Sequence, residues 1–189
     1  MIEANILFRL ALETASILET NQQLLHSINW TNGESNTVSE FSELACSCCK
    51  RAWECIKIEY EDYGETKISC TIPDINIKFT SAESSHCSRI ELKSSKKKEM
   101  LGSTISKLDI NQPLIFCLRP TTTDGSFIVR CSQYHHAMGN TEYDLFQDRS
   151  PRPYINFDKM TDSEFCIKDK YDWVDHYARC AVQRIKNPD

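Results

Sequence analysis

The sequence predicts an α/β fold, a single domain over residues 1–189 with a central mixed β-sheet flanked by helices. Three observations carry that expectation. Apolar residues recur at three- and four-residue steps over residues 3–27 and 37–56. The period then shortens to two in several runs between residues 67 and 134. A helical stripe returns over residues 170–185. A chain of 189 residues can enclose one full core and is short for two.

Taken in order, Ile6, Leu10, Ile17, Leu18, Leu24 and Leu25 define the first helix. TNGESNT is a loop, and Thr37-x-x-Glu40 is a capping-box pattern that opens a second helix ending near Ile56. After the acidic turn EYEDYGET, Lys67 to Ile72, Ile75 to Thr80 and Ser88 to Ser94 read as strands. SAESSHC suits a hairpin between the last two. Lys96 to Leu108 reads as a helix with Leu101, Ile105 and Leu108 on one face. PLIFCLRP and SFIVRCSQY are strands around a TTTDG turn. Beyond residue 135 loops are expected, with a short strand at Tyr154 to Phe157 and a closing helix, Lys170 to Ile185, striped by Trp173, Tyr177, Cys180 and Ala181.

Composition narrows the function classes. No run of about 18 apolar residues exists, and Glu3, Arg9 and Glu13 interrupt the first apolar segment. No membrane association is expected, and a soluble, cytoplasmic protein is. A net charge of −5 argues mildly against a nucleic-acid coat protein, yet it suits an acidic metal site beside local basic patches. The ten cysteines include the cluster CSCC at 46–49, but no second CxxC or HxxxH element completes a zinc site. Cys48, Ala52 and Cys55 instead continue a helical stripe begun by Val38, Phe41 and Ala45, so core packing is the expected role.

Chemistry concentrates between residues 73 and 93. Pro73-Asp74 precedes the second strand, and sixteen residues separate Asp74 from Glu91. Side chains alternate along a strand, so Glu91 and Lys93 share one face while Ile90 and Leu92 take the other. A hairpin closed by SAESSHC brings Asp74 beside Glu91. Two neighbouring carboxylates repel and raise each other's pKa unless a cation lies between them. Oxygen ligands suit Mg²⁺, with Mn²⁺ as a substitute, and such an ion acidifies water and neutralises charge on a phosphate. Lys93 would orient the water and stabilise the developing negative charge.

At these residues the stretch IPDINIKFTSAESSHCSRIELKSS resembles the PD-(D/E)xK nuclease motif, and ELKSS is most similar to type II restriction endonucleases. The motif core spans about residues 67–118. The resemblance implies a restriction-endonuclease-like core of helix, three strands, helix and strand. It implies Asp74 and Glu91 as ligands of Mg²⁺ and Lys93 as the catalytic lysine. A further carboxylate is often drawn from the first helical region; Glu13, Glu43 and Glu59 are candidates. The implied activity is site-specific hydrolysis of double-stranded DNA by a homodimer, whose two-fold axis would match a palindrome. A PD-(D/E)xK nuclease acting on RNA or on repair and recombination intermediates is the alternative enzyme. A non-catalytic interaction domain is the alternative outside enzymology.

Peripheral candidates for DNA contact are Ser94, Ser95, Lys96, Lys97, His135, His136, Arg149 and Arg152, with Lys98 and Tyr154 beside them. Ser94 and Ser95 are expected first of all to cap the following helix, and the lysine run to form a solvated face. His135 and His136 fall in a loop after a strand, where base reading or metal binding are the sharper roles.

Overall fold

A computed structural model describes residues 2–30, 39–60, 65–71, 73–80, 84–103, 108–138, 153–160 and 165–169. The first helical segment divides into α1 (Ile2–Thr20) and α2 (Gln22–Ser27). Asn21 makes the break: its side-chain Nδ2 donates to the Ile17 carbonyl at 2.6 Å, competing with the backbone for a helical acceptor. Helix α3 (Ser39–Ile56) follows, with a 3₁₀ turn at Lys57–Glu59.

The strands are β1 (Thr66–Thr71), β2 (Asp74–Thr80), β3 (Ser85–Ser95), β4 (Glu99–Leu101), β5 (Pro113–Leu118), β6 (Ile128–Gln133) and β7 (Tyr154–Asn156), with a short helix α4 (Tyr134–Ala137) after β6. The mixed α/β architecture is as expected: a five-stranded sheet in the order β1-β2-β3-β5-β6. Strands β1, β2 and β3 are antiparallel neighbours, β3 and β5 run parallel, and β6 returns antiparallel to β5. Parallel strands need a crossover, which residues 96–112 supply.

That crossover departs from the sequence reading. Over residues 96–103 there is no helix. The three lysines form a bend, and Glu99–Leu101 pairs antiparallel with Tyr154–Asn156 as a separate two-stranded sheet. Gly102 explains part of the difference: a Cβ there would lie 2.2 Å from the Tyr134 hydroxyl and 2.9 Å from the Pro153 carbonyl. Long-range pairing overrides local helix preference. Ser95 therefore caps a turn and not a helix, its Oγ accepting from the Lys97 amide at 2.9 Å. The closing helix expected over 170–185 and the candidates Arg149 and Arg152 lie outside the described residues.

Alternation along the strands builds two cores. Ile75, Ile77, Phe79, Ile90, Leu92, Ile115, Cys117, Val129 and Cys131 face α1 and α3. Leu114 and Phe116 face the other way and pack with Tyr134, Ile155 and Phe157. The buried stripe of α3 runs through Phe41, Ala45, Cys48, Cys49, Ala52 and Ile56. Cys55, expected on that stripe, is exposed, because a 3.6-residue period puts Ile56 inward instead. No described helix is long and apolar enough to cross a membrane.

Burial pushes the thiols of Cys49 and Cys117 up to about 12. Since only the thiolate attacks an alkylating agent, iodoacetamide at mildly alkaline pH is expected to label the exposed Cys55 and Cys87 while sparing both of these. Peptide mass mapping reads the result. Rapid native-state labelling of Cys49 or Cys117 would contradict the core.

Candidate active site

On the sheet face turned away from α1 and α3, the β2–β3 register assembles the acidic residues. Ile75 pairs with Ile90, so one further step sets Asp74 opposite Glu91. The Asp74 Oδ1 accepts from the Leu92 amide at 3.3 Å. Lys93 Nζ lies 2.7 Å from Glu91 Oε1, and both side chains are nearly sealed from water, at 7% and 2% exposure. A buried ion pair of this kind is weak evidence of stabilisation, because desolvating two charges offsets most of their attraction.

Glu91 is held from two more directions. Ser103 Oγ donates to Oε1, and Gln112 Nε2 lies 3.4 Å from Oε2. Ser103 is positioned in turn by its own amide, which donates to the Tyr134 hydroxyl at 2.6 Å. Burial, reinforced by the Glu91 charge, drives the Tyr134 hydroxyl far above the usual phenol range, so it stays protonated. Arg89 completes the cluster: Nη1 is 3.6 Å from Asp74 Oδ2, and Nη2 donates to Gln112 Oε1 at 3.1 Å. A cleft of about 470 Å³ opens beside the cluster, lined by Asn76, Arg89, Asn111 and Gln112 among others. Arg89 and Gln112 are its connection to the carboxylates.

Electrostatically the cluster sets two carboxylates, Asp74 and Glu91, against two cations, Arg89 and Lys93. Burial first, then the neighbouring Glu91 carboxylate, raises the Asp74 pKa; the Leu92 amide, Arg89 and Lys93 only partly oppose this. Two carboxylates of hard oxygen donors, one left uncomfortable when ionised, fit a small divalent cation.

The candidate third acids separate by position. Glu43 is exposed near the start of α3, next to Ser42, whose Oγ donates to the Pro73 carbonyl at 3.1 Å. Glu43 and Asp74 both act on the Cys70 thiol, which burial raises first. Glu59 lies at the other end of α3, paired through its carboxylate with both Nη atoms of Arg9. Seventeen residues of helical rise separate it from Ser42, about 25 Å. Glu13 is exposed on α1. Among the described residues no third His, Cys, Asp or Glu donor clusters with Asp74 and Glu91.

The peripheral candidates scatter. Ser94 is buried on the opposite face of β3, while Lys96 and Lys97 are exposed. Lys98 is paired with Asp158 at 2.9 Å. His135 and His136 lie in α4, not in a loop. Arg89, Gln112, Ser103 and Tyr134 had no place in the sequence reading. Arg89 was accessible to it, since period two sets residue 89 on the face of 91 and 93. The other three arrive through contacts across the crossover and carry no local signal. No protein-family model matches the chain, and no curated protein matches it.

Proposed function

We propose that the chain is a divalent-metal-dependent endonuclease of the PD-(D/E)xK kind, hydrolysing phosphodiester bonds at specific sites in double-stranded DNA. The observation that carries this reading is the juxtaposition of Asp74 and Glu91 across adjacent strands, with the Lys93 ammonium 2.7 Å from Glu91. The strand order adds support: three antiparallel strands lead through a crossover to a strand parallel with the third, helices α1 and α3 covering one face. The crossover carries β4 where the resemblance implies a helix.

In this reading Asp74 and Glu91 hold the ion, which when bound supplies positive charge to the phosphate and an acidified water. Lys93, whose ammonium is held against Glu91, would turn its remaining N–H groups to the attacking water and the phosphate oxygens. Ser103 and Gln112 fix the Glu91 carboxylate, so little reorganisation is needed during reaction. Arg89, partly exposed, restrains Asp74 before substrate arrives and can move to a phosphate afterwards. Two copies related by a two-fold axis would cut both strands of a palindrome.

The test is incubation of supercoiled plasmid with the purified chain and Mg²⁺, followed by mapping of the ends. Discrete, reproducible fragments are expected, and none with EDTA. Cleavage confined to RNA or single strands would move the activity to the alternative substrates. No cleavage of any nucleic acid with Mg²⁺ or Mn²⁺ would overturn the proposal.

A further inference from the structure

A second cluster of donors lies on the far side of Gln112. His135 and His136 are consecutive on α4, with ring centroids 4.1 Å apart. Both direct Nε2 at one sulfur: Cys166 Sγ is 3.5 Å from the His135 nitrogen and 3.8 Å from that of His136. In a tetrahedral zinc site with ordinary Zn–S and Zn–N bonds, sulfur and nitrogen ligands stand about 3.6 Å apart. Both sulfur–nitrogen distances therefore already match ligand spacing, and the three donor atoms lie within 4.8 Å of one another.

The surroundings set the donor atoms. His135 Nδ1 lies 2.9 Å from the Ile110 carbonyl, which can only accept, so the proton is on Nδ1 and the Nε2 lone pair faces Cys166. A carbonyl behind a histidine is the support that metal-ligating imidazoles use. Cys166 is fixed equally firmly. Gln133 accepts from its amide at 2.8 Å and donates to its carbonyl at 2.7 Å. Asn111 repeats this reciprocal clamp two residues on, with Lys168, at 2.8 and 2.9 Å. Two amide side chains, one fully buried, thus hold the backbone at Cys166 and Lys168 so that the Cys166 sulfur meets two imidazoles.

We propose that His135, His136 and Cys166 form a zinc site that fastens the chain at Cys166 to α4, with water completing the tetrahedron. The site is independent of the nuclease reading. It takes a borderline-soft ion through nitrogen and sulfur, whereas Asp74 and Glu91 offer only hard oxygens. The two are neighbours through one loop: Ile110 supports His135, and Gln112 reaches Glu91.

The chain, stripped with EDTA and kept reduced, is titrated with Co²⁺. The expected result is a thiolate-to-cobalt charge-transfer band with intense visible bands of four-coordinate cobalt, saturating at about one equivalent and displaced by Zn²⁺. Cys166→Ser should lose the charge-transfer band outright, while Cys87→Ser and Asp74→Asn keep it. Equal melting of metal-free Cys166→Ser and metal-free wild type separates ligand loss from unfolding. Should that variant melt early, His136→Gln replaces it and must weaken cobalt binding at least about tenfold. No band in the wild type, or a band unchanged in both variants, overturns the site.

Discussion

Asp74→Asn is expected to lower DNA cleavage by roughly 10²–10³-fold or more and, in the same protein, to raise the melting temperature in the absence of metal. The two effects have one cause. Burial and the Glu91 carboxylate raise the Asp74 pKa above the ordinary value of 3.8. A raised carboxyl pKa means that the folded chain binds this proton more tightly than the unfolded chain does. Stability attributable to Asp74 is therefore lost as pH climbs from the ordinary value through the raised one, and the deficit is complete above the raised value. Asparagine keeps an oxygen for the Leu92 amide and removes the charge. A gain of ~1 kcal/mol corresponds to about 2–4 °C for a domain of this size.

Melting curves for both proteins should accordingly converge in acid, below the ordinary carboxyl value, and separate as pH rises. Millimolar Mg²⁺ or Mn²⁺ should narrow the gap from the wild-type side, because an ion that binds only the folded site stabilises it. A residue serving mainly as a structural ion-pair partner behaves in the opposite way: its removal lowers the melting temperature at neutral pH. A destabilised Asp74→Asn, or one that still cuts at the wild-type rate, would remove Asp74 from the proposed site.

The contrast between what the sequence disclosed and what it concealed follows the range of the interactions. β1, β2 and β3 were legible because period-two alternation and a short polar loop are local features, and β2–β3 register follows from them. Asp74, Glu91 and Lys93 became a cluster on paper for that reason. The crossover was not legible. KKKEMLGS reads as helical by local preference, but Glu99 finds its partner in Asn156, fifty-seven positions away, and Gly102 lies beneath Tyr134. The same blindness to distance hid Ser103, Gln112 and Tyr134. It also hid Cys166, an isolated thiol in the sequence that meets two histidines only once Gln133 and Asn111 have clamped its segment.

Removing either member of the Glu91–Lys93 pair is expected to have the largest effect on stability. Glu91→Leu leaves a buried ammonium without its carboxylate, and Lys93→Met leaves a buried carboxylate with Ser103 and Gln112 as its donors among the described residues. Breaking a buried pair in this way costs about 3–5 kcal/mol, a fall in melting temperature of roughly 6–20 °C. Glu91→Leu should be the worse of the two, since the carboxylate keeps two hydrogen bonds in Lys93→Met, while the ammonium in Glu91→Leu keeps only its longer-range attraction to Asp74 among the described carboxylates. The double variant replaces both charges by apolar groups and should recover much of the loss, so chemical denaturation of the four proteins is expected to give a strongly favourable coupling energy. Single-variant losses below about 1 kcal/mol would show instead that the pair behaves like a solvent-exposed one. The cycle also separates chemistry from folding. A double variant that folds well and cuts no DNA would mean that this sealed pair of charges, which contributes little to stability, is retained for what it does to a phosphate.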